Sequence, residues 1–104
     1  MPGQPRQETD AMERARFLAA ARQLAAAADL LASGGPADLQ ADALQMLAQF
    51  RGYERPEDGA RGDVQTSDDE LFASTAHAAL TLVGRHEFAA AHALLQQAQR
   101  LLSS

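Results

Sequence analysis

Residues 66–104 read TSDDELFASTAHAALTLVGRHEFAAAHALLQQAQRLLSS, two stretches of helical length on either side of Gly84. In the first, Phe72, Ala76, Ala79 and Val83 recur at three- and four-residue intervals, flanked by Leu71, Ala78 and Leu82. In the second, Phe88, Ala91, Leu95, Ala98 and Leu102 do the same, with Leu94 and Leu101 beside them. That period puts the apolar residues on one face of a helix, whereas a strand would alternate them. Ser67 with Glu70 three residues later is a capping box, and Asp68 and Asp69 add negative charge where the helix dipole favours it. A turn this short returns the second helix antiparallel to the first. The stretch is therefore a helical hairpin, and the rest of the chain must supply the surface it packs on.

The upstream half supplies a second hairpin. A first helix is expected to begin near Thr9 or Asp10, with Asp10 and Glu13 in its first turn, and to run to about Ser33. Phe17, Leu24 and Leu31 stand seven residues apart, with Ala20, Ala21, Ala27 and Ala28 filling the same face and Leu18 and Leu30 widening it. Large residues once every two turns, separated by alanines, let a partner helix approach closely. Gly34 and Gly35 are expected to supply a left-handed residue at the helix end, and Pro36 suits the first turn of the next helix. That second helix is expected over about residues 36–50, with Leu39, Ala43, Met46, Leu47 and Phe50 as its stripe and Asp38 and Asp42 toward its N-terminal half.

The order is thus a disordered tail at 1–8 and one all-α domain over 9–104. The domain comprises hairpin 9–50, a polar linker at 51–66 and hairpin 67–104. The tail carries Pro2, Gly3 and Pro5 without periodicity, and the linker is broken by Gly52, Pro56, Gly59 and Gly62. A connection that long is uncommon inside a compact domain. Tyr53, the only tyrosine, adjoins Phe50 and is expected to fold back onto the core.

Composition narrows the function classes. Alanine accounts for 24 residues and aromatic side chains for only five, so helices can approach closely but bury little area per residue. All nine basic residues are arginines, and the joint excess of alanine and arginine matches the coding bias of a GC-rich bacterial genome. The net charge is −5 and the arginines are scattered, which disfavours nucleic acid as a partner because phosphate neutralisation needs a basic face. With no cysteine there is no disulfide, thiol nucleophile or cysteine-based zinc site. The segment MPGQPRQETD lacks an apolar core for a signal peptide, and no run of 18 apolar residues could span a membrane. A cytoplasmic protein without membrane contact is expected.

Residues that suggest chemistry have plainer explanations. His77 lies mid-helix, His86 in the turn and His92 one turn after Phe88, without the spacing that would make two of them share a metal. Asp68, Asp69 and Glu70 serve the start of a helix, and no calcium-loop spacing follows them. Lysine is absent, and Ser74 and Thr75 fall inside a helix, where hydroxyls bond to carbonyls. Arg61, Gly62 and Asp63 spell an adhesion tripeptide that chance accounts for. No enzyme activity and no cofactor is expected.

The segment GRHEFAAAHALLQQA resembles the second half of a tetratricopeptide repeat: Gly84 stands at the turn, and Phe88, Ala91, Leu95 and Ala98 at the four alternating large and small places. The resemblance covers residues 70–102 in a single copy, with one extra residue between Gly84 and Phe88 and His77 where a small residue belongs. It implies tetratricopeptide-like or bundle packing and a groove for a peptide or helix, and small helical-repeat chaperones of bacterial secretion systems look similar in size and pattern. The expectation is a non-enzymatic adaptor or chaperone that binds a partner's helix or peptide, such as a secretion-system or regulatory component. Phe17, Leu24, Leu31, Phe50, Tyr53, Phe72, Phe88 and Leu95 are its candidate contact residues. Two alternatives are a homodimeric bundle closed through Phe17, Leu24 and Leu31, and a small helical transcriptional regulator.

Overall fold

A computed structural model describes residues 4–54 and 69–103, with side chains over 14–54 and 70–102. Four helices account for nearly all of it: α1 (Gln4–Gly34), α2 (Ala37–Gly52), α3 (Asp69–Gly84) and α4 (Phe88–Ser103). There is no strand among the described residues. The all-α arrangement of two hairpins is as the periodicity requires. The side chains of Thr9, Asp10 and Glu13, the capping residues Ser67 and Asp68, the linker from residue 55 to 66 and the Arg61–Gly62–Asp63 tripeptide lie outside the described residues.

α1 starts at Gln4, ahead of the expected Thr9, so residues assigned to the tail are helical. Proline is accepted in a first turn because the amide it lacks has no intrahelical partner there, so Pro5 does not block the start. At 31 residues α1 is about twice as long as each of the others, and it sets the long dimension of a body measuring 54 × 23 × 20 Å.

The hairpins pack so that α1 is central. It lies along α2 and α3 and touches α4 lightly, α3 packs on α4, and α2 meets α4 at few points. α2 and α3 make no contact, so consecutive helices across the linker are not neighbours. Two side-chain bridges, Asp42 to His92 and Gln49 to Gln99, run in ascending order on both helices, so α2 and α4 are parallel. Because each hairpin is antiparallel, α1 and α3 are parallel as well.

The core is a continuous cluster drawn from all four helices. Among the described residues ten of the 19 buried apolar side chains are alanines, and the largest that are fully buried are Phe50, Phe72, Leu24, Leu31, Met46 and Leu95. Alanine's contribution is spacing. Ala27 and Ala28 on α1, Ala76 and Ala79 on α3, and Ala91 and Ala98 on α4 are all at 0% exposure, which marks close helix contacts.

The first turn uses glycine differently from the sequence expectation. Neither Gly34 nor Gly35 is in the left-handed region. Gly35 is instead needed for its size: its amide donates to the Leu31 carbonyl at 2.9 Å, and the chain passes so close that a Cβ would lie 2.5 Å from that oxygen. Pro36, at φ −61° and ψ 147°, then caps α2 from just outside it, and the Gln40 side chain reaches back to donate to the Gly35 carbonyl at 3.0 Å.

In the second turn the left-handed residue is His86, at φ 62°, and not Gly84. The Glu87 amide donates to the Leu82 carbonyl and the His86 amide to Val83, both at 2.9 Å. These are the two bonds of a Schellman ending, which places the left-handed position two residues beyond the last helical one. Glycine therefore stands two places too early to supply it. His86 carries the cost of a Cβ in that conformation, about 1–2 kcal/mol, against a 19° stack of its ring on Phe88 with centroids 5.5 Å apart. His86→Gly is expected to raise stability by about 0.5–1 kcal/mol, read as a higher urea midpoint at unchanged m-value. A lower midpoint would mean that the ring stack outweighs the backbone term.

Candidate interaction surface

The eight residues singled out from sequence separate into three places. Leu24, Leu31, Phe50 and Leu95 are at 0% exposure and Phe72 at 2%, all inside the core cluster. Leu24 and Leu31, the expected seam for a second copy, are consumed by packing within the chain. The alanine-spaced face packs against α2 and α3. Phe88 is half-buried at the start of α4, packed against the core cluster with its ring stacked on His86.

Phe17 and Tyr53 come together with Phe72. The Phe17 ring lies on Phe72 with centroids 5.4 Å apart and planes 12° from parallel, and Tyr53 meets Phe17 edge-on at 6.0 Å and 85°. Tyr53 thus folds back onto α1. It gets there because α2 closes with tight turns, the Tyr53 amide donating to Phe50 at 3.1 Å and the Glu54 amide to Arg51 at 3.0 Å. The cluster sits where the end of α2 and the start of α3 converge on the middle of α1. Offset-stacked and edge-to-face pairs add to the area buried by each ring, so the cluster is a rigid anchor for that end of the bundle.

Beside this anchor a shallow, widely open groove of about 700 Å³ lies along α3, lined by Glu70, Leu71, Ala73, Ser74 and His77 of α3 and by Arg16 of α1. Its walls combine apolar surface, including Leu71 at 42% exposure, with a cation, an anion and polar side chains. Ser74 Oγ donates to the Leu71 carbonyl at 3.2 Å, in keeping with the expected use of a mid-helix hydroxyl. None of these six was a sequence candidate for contact. The available signal was Leu71 itself, an extra leucine one position off the Phe72 stripe. Arg16 stands more than fifty residues away, so its place opposite α3 has no local signature.

The polar groups elsewhere hold helices together. Thr75, at 3% exposure, accepts a hydrogen bond from Gln97 Nε2 at 2.9 Å, and does not turn to its own helix backbone. Gln97 and Gln99 are half-buried and serve these cross-links. His92 Nε2 lies 2.6 Å from Asp42 Oδ2. His77 is exposed in the groove wall and His86 is exposed in the turn, so the three histidines occupy separate places. Among the described residues no three His, Asp or Glu side chains converge, and no helix is long and apolar enough to cross a membrane.

No protein-family model, curated protein or solved structure matches this chain.

Proposed function

We propose that this chain is a non-enzymatic protein-interaction module, a small cytoplasmic adaptor or chaperone that takes a partner's helix or peptide on its α1–α3 face. The observation that carries the reading is the groove itself: an exposed leucine and an alanine flanked by Arg16, Glu70, Ser74 and His77, backed by a stacked aromatic anchor. A bound helix gains affinity from apolar burial along such a floor and orientation from polar groups at its rim. The small-residue seam of α3 and α4, with Ala91, Leu95 and Ala98 at 0% exposure, supports the tetratricopeptide-like hairpin reading. In that reading the hairpin is the scaffold and the α1–α3 face does the binding.

The chain has no cysteine, so a single thiol can report the site. Ser74→Cys, carrying a photoreactive maleimide, is expected to cross-link one protein species in extracts of the native host. Ser33→Cys, exposed at the far end of α1, is expected not to. Adding Leu71→Asp should abolish the product while the helical circular dichroism stays unchanged. Equal yields at positions 74 and 33, or persistence of the product in the Leu71→Asp background, would rule out this face as the docking site.

A further inference from the structure

The α2–α4 seam is built differently from the other helix contacts. α1 against α2, α3 against α4 and α1 against α3 are closed by extensive packing, whereas α2 and α4 touch at few points. Two side-chain hydrogen bonds cross between them. His92 Nε2 meets Asp42 Oδ2 at 2.6 Å, and Gln99 Nε2 donates to Gln49 Oε1 at 2.7 Å. Asp42 and Gln49 are seven residues apart, as are His92 and Gln99, so both bridges lie along one face of each helix. Met46 falls between the bridges on α2, and Leu95 between them on α4, and both are at 0% exposure. A polar clasp thus stands at either end of a short apolar stretch.

We infer that the bundle opens along this seam, with α1–α3 as its spine and the two bridges as a clasp over Met46 and Leu95. Water reaches the clasp, since the Asp42 side chain is 45% exposed and that of His92 16%. Opening the seam exchanges two hydrogen bonds for water, exposes Met46 and Leu95 and gives up the light α1–α4 contact. Parting the spine gives up the far more extensive α1–α3 packing and exposes the stacked Phe17 and Phe72 rings. Opening is therefore a rotation of one hairpin against the other about α1–α3, in which each hairpin keeps its own packing. It uncovers a methionine and a leucine, the adaptable kind of apolar surface. The inference concerns the chain alone and holds whether or not the α1–α3 groove takes a partner.

Pulsed electron resonance between paired spin labels tests it. Labels on Gln45→Cys and Gln96→Cys, both exposed, measure across the seam, and labels on Ala19→Cys and Ser74→Cys, also exposed, measure across the spine. Removing the clasp with Asp42→Ala and Gln49→Ala is expected to raise the long-distance population across the seam roughly tenfold, with the spine distance unchanged. Asp42→Asn, which keeps an acceptor for His92, is expected to stay closed. A seam distance that remains single and unshifted without the clasp overturns the inference. So does lengthening of both pairs together, which is general loosening and no hinge.

Discussion

Phe72→Ala is expected to cost about 3–5 kcal/mol, the range for deleting a buried phenylalanine. Three features place it at the upper end. The ring is 2% exposed, it stacks on Phe17, and it stands at the α1–α3 contact that joins the two hairpins. The surrounding core cannot compensate easily, because the neighbouring small residues are alanines without rotamers to swing into a cavity. A domain of this size has about 5–15 kcal/mol in total, and a core with so few large side chains lies toward the bottom of that range. Thermal unfolding followed by circular dichroism should show a fall in Tm of more than about 12 °C. A fall of under about 5 °C would mean that the α1–α3 contact is not a structural one. A double-mutant cycle with Phe17→Ala should return a coupling of about 0.5–1.5 kcal/mol for the stack itself.

The two adjacent glycines of the first turn are expected to respond with opposite signs. Gly35→Ala places a Cβ 2.5 Å from the Leu31 carbonyl oxygen and 2.7 Å from Leu31 Cδ1. Neither atom is free to yield. The oxygen accepts the Gly35 amide, and the Leu31 side chain is at 0% exposure in the core. Relief requires a shift of the turn, at a cost of about 1–3 kcal/mol. Gly34→Ala meets nothing within 4 Å and lies in the last helical position of α1, so it is expected to stabilise by about 0.5–1 kcal/mol through helix propensity and a less disordered unfolded chain. Urea titrations of the two variants decide it. If both move the midpoint the same way, the close approach at Gly35 is not what selects glycine there.

How much of the surface was legible follows from how far apart its parts lie in the chain. That Tyr53 folds back at the end of α2 was readable, because the tight turn that redirects it is local, but that it meets Phe17, 36 positions away, was not. The docking of Phe72 on Phe17 was not, since 55 positions separate them and many pairs of apolar stripes could mate. Arg16 lining one groove with Glu70, and His92 meeting Asp42, depend in the same way on which helix neighbours which. That His86 carries the left-handed conformation of the second turn was not legible, for a different reason. Glycine preference at a helix end is a statistical tendency, and here the ending places its left-handed position two residues past Gly84.

What the sequence determined by itself is the set of helices and their apolar faces. A 3.6-residue period of large and small side chains is a property of each segment alone, as are the two short turns that make each pair antiparallel. The tertiary structure alone decided the pairing between hairpins: α1 beside α3, α2 apart from α3, and α2 linked to α4 by polar bridges. Alanine-rich faces are nearly interchangeable as packing surfaces. The choice among them is made by a few large side chains, the Phe17–Phe72 stack foremost, and by hydrogen bonds whose partners lie fifty residues apart in the chain.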